Sequence, residues 1–500
     1  MYTRTAVVTL SNRMKYNIVM INPDQLRWDF ITPNGHPFIN TRNLNRLAAL
    51  GTNFRNAFTA APMCAPARTS FVTGQYPCEH RVRNYHGTMH PDYPNALSQL
   101  GEAGYVRALY GKDHIVRENG IGILYDEGED ICLGNMDEHP EYEYSWSSGV
   151  LDSKYPGNLT SRLTDDGLRF LDRQKDSGKP FFLTLNYQDP HPYFTCPEPY
   201  YSMFDSEEME LPRSFYKTNY GSKPAKLQMW RSHSLSDKAD EAAIKRAMAT
   251  YCGQIRYVDD QVGRVLDYLE RNNLLETTIV VFWSDHGELI GDYGVTHKLP
   301  VFYDSLVRVP LIVHDPSETI PPDAGDQLVE LMDIFASVLD ICGVEQPLGS
   351  RAVPFPRPEG IEREDVFCDG GLYLRPIEKA DARLKLKAPH EPTQFGPGAM
   401  IRTKEWKLCA YAQDSWELYD LVHDPTEEYN LIDDPQHAAV RADMQSRLIS
   451  RMMCQGASPT TLPTLTYTEV SSEGRPLWAD SRKSDHFLEG QDGPAWLVDR

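Results

Sequence analysis

Five short stretches of the chain are apolar at nearly every position: Tyr16–Asn22, Tyr105–Tyr110, Phe181–Tyr187, Thr278–Trp283 and Val309–Val313. Runs of this length without polar alternation predict strands covered on both faces, as in a parallel sheet. Between them the apolar residues recur at three- and four-residue steps. Leu44, Leu47 and Leu50, ended by Gly51, predict one helix. Ile244, Met248, Tyr251, Ile255, Val258, Val262, Leu266 and Leu269 predict a long one over about Glu241–Asn272, and a third covers Gln327–Cys342 before Gly343. Such alternation predicts an α/β sandwich with a large, mostly parallel central sheet flanked by helices.

From about Arg351 to Gly398 the periodicity gives way to Pro-rich, charged sequence, expected as surface loops. Ala399–Tyr411 and Trp416–Leu421 then read as strands, and about Gln436–Met453 as a helix. This predicts a smaller C-terminal α+β subdomain with a short antiparallel sheet, so the chain divides into residues 1–375 and 376–500. The last segment, about Gln455–Arg500, carries Trp478 and Trp496. It reads either as a docked tail or as an oligomer contact.

Polar clusters follow four of the strand runs at once. They are Asp24-Gln25, Gly111-Lys112-Asp113-His114, Asp189-Pro190-His191-Pro192 and Ser284-Asp285-His286-Gly287. Ligands of open α/β sheets bind at the carboxyl ends of the strands, so these clusters are expected to converge on one edge. Asp24, Gln25, Asp285 and His286 form a donor set for a hard divalent cation. The same residues are also good turn formers, so a turn is the competing reading. Cys64 opens a stretch, Cys64-Ala65-Pro66-Ala67-Arg68, that reads as a loop entering a helix ended by Gly74. A helix N-terminus favours an anion, and Arg68 lies one turn on. The alternative is a small buried cysteine.

The formal net charge of −21 argues against nucleic acid or an anionic membrane as partner, so the cationic residues of these clusters imply a local positive pocket. The nine cysteines are scattered without a CxxC pair, which indicates neither a disulfide framework nor a zinc cluster. The apolar run before Ser11 is too short for a signal peptide, and no run approaches the roughly 20 residues of a membrane span. A cytoplasmic protein is expected.

With these residues in view the chain resembles the formylglycine-dependent sulfatases of the alkaline phosphatase superfamily, from about Tyr16 to Pro435. Cys64-Ala65-Pro66-Ala67-Arg68 is similar to the family's CxPxR motif, Lys112 and His114 to its GKxH element, and His191 to the histidine of its DPHxP-like segment. Asp285-His286-Gly287-Glu288 is similar to the second metal motif, and Lys298 to the lysine before Val307-Arg308-Val309-Pro310. Glu417–Leu421, Asp424-Pro425 and Asn430-Leu431 resemble the C-terminal signature. Gln25 stands where many members have a second Asp, His286 where many have Asn, Ala67 where Ser is frequent and Asp113 where Trp is frequent.

The resemblance implies an alkaline-phosphatase-like fold with a catalytic domain over 1–375. It also implies oxidation of Cys64 to formylglycine by a maturation enzyme. One divalent cation is implied, Ca²⁺ or alternatively Mg²⁺ or Mn²⁺, on Asp24, Gln25, Asp285 and His286. Arg68 and Lys112 would hold the nucleophile and its sulfate, and His114 would act as base. His191 and Lys298 would serve the leaving oxygen. His297 is left out, because an extended chain would turn it away from Lys298. The expected substrate is a sulfated mono- or disaccharide or another small organic sulfate. Specificity is expected from Glu207–Asp240 and Arg351–Gly398, where Tyr216, Tyr220, Trp230 and Tyr373 could stack on a sugar. Two other functions compete: a phosphonate monoester or phosphodiester hydrolase, favoured by Asp24-Gln25, and a non-catalytic anion-binding relative.

Overall fold

The computed structural model describes residues 15–455 apart from 84–86, 117–119, 132–145, 152–157, 235, 356, 358–361, 372–395 and 413. Tyr373, Trp478 and Trp496 lie outside the described residues. Seven strands build the main sheet: β1 (Asn17–Pro23), β2 (Thr52–Asn53), β3 (Val106–Gly111), β4 (Glu127–Asp130), β5 (Phe181–Tyr187), β6 (Thr278–Trp283) and β7 (Leu311–His314). Their spatial order is β2–β7–β6–β1–β5–β3–β4. β1 pairs in parallel with β5 and β6, and β3 in parallel with β5 and β4.

The apolar run Val309–Val313 predicts a further parallel strand, and here the structure corrects the expectation. The strand is Leu311–His314 and runs antiparallel to both β6 and β2. After β6 the chain stays at the carboxyl end of the sheet, where Gly287 N–H donates to Leu306 O and Ser284 N–H to Pro310 O. A chain that never crosses to the other end can only re-enter running backwards.

The longer helices among the described residues support the sheets and the strand ends: α1 (Arg42–Leu50), α2 (Cys64–Thr73), α3 (Leu159–Gln174), α4 (Ala225–His233), α5 (Glu241–Arg271), α6 (Leu331–Ile341) and α7 (Ala438–Gln455). The period-two geometry of the strands divides the core. Val19, Ile21, Leu183, Leu185, Val280 and Phe282 point toward α1, α3 and α5. Ile18, Met20, Phe182, Ile279 and Val281 point toward α2 and α6. Burying each such side chain contributes about 1.5–3 kcal/mol, which is why these strands carry no polar face. The helix expected over Gln327–Cys342 starts later, because Val329-Glu330 first pairs as a strand with Ala57-Phe58.

A second, four-stranded antiparallel sheet follows, in the order β8 (Val366–Gly370), β9 (Gly398–Arg402), β10 (Trp406–Tyr411) and β11 (Glu417–Asp420). Met444 and Leu448 of α7 pack on its Ile401 and Leu408. β8 comes from the stretch expected to be loops throughout. Its five buried residues are hidden in the sequence by charged and Pro-rich neighbours. Among the described residues no helix is long and apolar enough to cross a membrane.

Candidate active site

The strand ends do bring the predicted clusters together. β1 delivers Asp24 and Gln25, β3 delivers Lys112, β5 leads to His191, and β6 leads to Asp285 and His286. Lys112 is turned inward by Gly111, whose φ is +117° and whose missing Cβ would lie 1.9 Å from Asn186 O. Only glycine fits this crossing.

Helix α2 starts at Cys64, which is buried with every other residue of the helix. Arg68 ties this helix to the strand ends. Its Nε donates to Asp285 Oδ2 at 2.8 Å, one terminal nitrogen to Asp24 Oδ2 at 3.2 Å, and the other to Lys112 O at 2.6 Å. Lys112 Nζ also donates to Asp24 Oδ2, at 2.6 Å. Burial alone would raise the Asp24 carboxyl, but Lys112, His191, Arg68 and Lys298 hold it well below the usual range. The Cys64 thiol shows the same contest. Burial raises it, while Lys112, His114 and Lys298, with a hydrogen bond from His114, bring it well below the usual thiol range. The ground around Cys64 therefore favours negative charge.

The metal expectation can be tested on the donor atoms. His286 Nδ1 donates to Gly287 O at 2.9 Å, which leaves the Nε2 lone pair aimed at the carboxylates. That Nε2 lies 3.8 Å from Asp24 Oδ1 and 3.9 Å from Asp285 Oδ1. Asp24 Oδ1 and His286 Nε2 are buried without a hydrogen-bond partner, and one ligand atom from each of the three residues lies within 4.8 Å of the others. Two carboxylates and an imidazole with converging atoms, two of which have no hydrogen-bond partner, fit a divalent cation. Gln25 is placed differently. Its amide oxygen accepts from Lys298, and its nitrogen donates to Glu288 and, at 3.1 Å, to His297 Nδ1.

His191 Nδ1 lies 2.6 Å from Pro192 O, so it carries the proton and Nε2 is the acceptor. Burial, helped by Lys298, holds His191 well below the ordinary histidine value and hence neutral.

Two further residues of the site escape the sequence reading. His297 has φ +76°, so the chain there is not extended, and the residue turns inward beside Lys298. Its ring meets His191 edge-on at 5.4 Å and lies 6.2 Å from Trp230, whose indole N–H donates to Thr296 O. Glu288, fully buried, accepts from the Gln25 amide and from the backbone N–H groups of Ile290 and His297. It thereby joins the β1 loop to the Lys298 loop. Nothing in the local pattern announces a left-handed histidine; the Glu following Asp285-His286-Gly287 is visible in the sequence but carries no partner there.

Residues 16–344 match the sulfatase family, and residues 390–453 match the C-terminal region of N-sulphoglucosamine sulphohydrolase. The arylsulfatase of Clostridium perfringens is 29% identical over 374 residues, spanning 67% of this chain and 76% of its own length. The phosphonate monoester hydrolase of Agrobacterium radiobacter superposes with a TM-score of 0.73 at 24% identity, covering 92% of this chain and 98% of that one. A protein solved with its substrate D-glucosamine-2-N,6-O-disulfate superposes with a TM-score of 0.71 at 21% identity, covering 88% and 98%. The two superpositions establish the fold, and the family match spans most of the chain. The chain therefore belongs to the sulfatase family of the alkaline phosphatase superfamily and is a sulfatase hydrolase.

Proposed function

We propose that this protein removes sulfate from a small sulfated sugar or similar organic sulfate, with residue 64 working as formylglycine beside one divalent cation, Ca²⁺ in the first instance. The observation that carries this reading is the gathering of Arg68, Lys112, His114 and Lys298 about Cys64, next to the converging ligand atoms of Asp24, Asp285 and His286. An anion subsite abutting a cation subsite suits an ester that must be attacked against its own negative charge.

Asp24, Asp285 and His286 would hold the cation, with Gln25 at its edge. When bound, the cation supplies a Lewis acid for the sulfate oxygens, and hydrated formylglycine supplies one hydroxyl for attack and a second for release of sulfate. The chain's own groups do the rest. Lys112 and Lys298 offset the charge of the sulfate oxygens. Arg68 fixes both carboxylates against the first turn of α2. His114 receives the proton of the residue-64 hydroxyl. Lys298 donates to the leaving oxygen, and neutral His191 orients a substrate hydroxyl through Nε2. Tyr216, Tyr220 and Trp230 lie on the segment read as the substrate rim.

The test is turnover by protein made with a formylglycine-generating enzyme, assayed in parallel on sulfated sugars, alkyl and aryl sulfates, phosphonate monoesters and phosphodiesters. Sulfate esters should be the most efficient substrates, the Cys64 peptide should carry the aldehyde mass, and Cys64→Ala should abolish turnover. Higher efficiency on the phosphorus esters would overturn this reading for the phosphonate hydrolase that Gln25 favours. A thiol-only Cys64 peptide with no turnover would point instead to an anion-binding protein.

A further inference from the structure

Between Lys112 and His114, both directed at the site, lies a residue that faces the other way. Asp113 is fully buried, and its carboxylate makes three hydrogen bonds. Oδ2 accepts from the backbone N–H groups of Ile115 and Val116, each at 3.3 Å. Oδ1 accepts from the Tyr125 hydroxyl at 3.0 Å, and the Asp113 N–H itself donates to Asp130 Oδ1 at 3.1 Å. Ile115 and Val116 are buried, so their N–H groups would otherwise be orphaned away from water.

The residue enclosed by this arrangement is His114, whose φ is +55°. A left-handed backbone at a residue with a Cβ relaxes unless its surroundings hold it. Here they do, since Asp113 grips the chain one and two residues beyond His114 while Tyr125 and Asp130 grip Asp113. In this conformation the imidazole reaches Cys64. An ordinary right-handed or extended backbone at the same position would send the side chain off in another direction.

We infer that Asp113 is a positioning residue for the reaction, clamping the chain so that His114 is presented to residue 64. The inference rests on the reading of residue 64 as nucleophile and His114 as its base. It gives a specific purpose to the acid that stands where tryptophan is frequent in the family. Asp113 touches no reacting group, and the route by which it acts in this inference is the backbone of His114.

The experiment is a double-mutant cycle in the metal-loaded, formylglycine-bearing enzyme, using the best sulfate ester of the wild type. Asp113→Ala should lower kcat by about 30–100-fold with KM held within about twofold, because a base is displaced while sulfate binding persists. Asp113→Asn keeps an acceptor for both N–H groups and should stay within about threefold of wild type. In a His114→Ala background, Asp113→Ala should cost less than about twofold more. Melting temperature and the aldehyde content of residue 64 are measured on every variant. Should Asp113→Ala not fold, Tyr125→Phe carries the same test, with a smaller fall in kcat that vanishes in the His114→Ala background. Multiplicative losses in the double mutant, or an Asp113→Asn enzyme as slow as Asp113→Ala, would overturn the inference. Wild-type turnover and its loss in Cys64→Ala test the underlying reading separately, so multiplicative losses in a working sulfatase would sink the clamp alone.

Discussion

Arg68 Nε lies 2.8 Å from Asp285 Oδ2, and both side chains are almost wholly buried. One guanidinium from helix α2 thus holds the carboxylate that follows strand β6, and its fork also reaches Asp24 and Lys112 O. Lysine has the charge but not the fork. In protein with an unconverted Cys64, Arg68→Met should cost about 3–5 kcal/mol of stability, since it leaves buried carboxylates uncompensated. Arg68→Lys should fall between Met and wild type. Denaturant unfolding of the three proteins checks the order, and an undisturbed Arg68→Met protein would contradict it.

The converging atoms of Asp24, Asp285 and His286 predict a cation-dependent stability. Protein stripped with a chelator should gain about 2.7 kcal/mol when a divalent cation is restored at a hundred times its Kd. His286→Ala removes one ligand and should show less than half of that gain at the same concentration. Thermal melts over a Ca²⁺ series, repeated with Mg²⁺ and Mn²⁺, read this directly without any substrate.

His80, beneath helix α2, predicts the response to acid. Its Nδ1 accepts from Val82 N–H at 3.1 Å, and Nε2 meets Ser70 Oγ at 2.9 Å. Burial first, then Arg83, pushes it down to about 3. Between that value and the unfolded value near 6.5 the unfolded chain binds the extra proton, so stability is lost as pH falls through this window. The loss is at most about 1.4 kcal/mol for each pH unit. Asp189, raised to about 6 by burial, acts in the opposite sense. The informative quantity is therefore the difference between wild type and His80→Asn: as pH falls from 6 to 4, wild type should lose stability relative to the variant.

The junction of the two sheets carries a fourth prediction. Lys407 of β10, fully buried, donates to Phe302 O at 2.9 Å, to Glu427 Oε1 at 2.6 Å and to Asp304. Burial raises Glu427 to about 7 against the pull of Lys407. For Asp304, Arg402, Lys407 and Arg308 outweigh burial and keep the carboxyl below its usual range. Lys407→Met leaves these acids short of one cation and should destabilise by about 3–5 kcal/mol. Urea unfolding gives the magnitude. A double mutant with Glu427→Gln should recover part of it, because one of the stranded charges is removed as well.

Much of the site is legible in the sequence because its chemistry sits at strand ends. The runs ending near Asn22, Tyr110, Tyr187 and Trp283 are apolar, and the polar residues that interrupt them stand out. Cys64 opens α2, Arg68 follows one turn on, and Gly74 ends the helix with φ +68°. The direction of β7 is not legible, since an apolar run carries no sign of its orientation. Strand β8 escapes notice because five residues among charges and prolines have too little periodicity to show. His297 escapes because a left-handed backbone at a non-glycine residue is imposed by neighbours, here Glu288 on its N–H and Gln25 on its ring.

By itself, then, the order of residues determined the strand and helix periods, the glycine turns and the residue types at each strand end. Those depend on side-chain spacing and local backbone sterics, which reach only a few positions along the chain. Tertiary structure alone decided which atoms meet: that Arg68 spans Asp24 and Asp285, that the Gln25 amide takes Lys298, and that the Tyr125 hydroxyl meets the buried Asp113 carboxylate. These contacts join residues up to 273 positions apart, and burial makes each hydrogen bond obligatory once the sheet has closed.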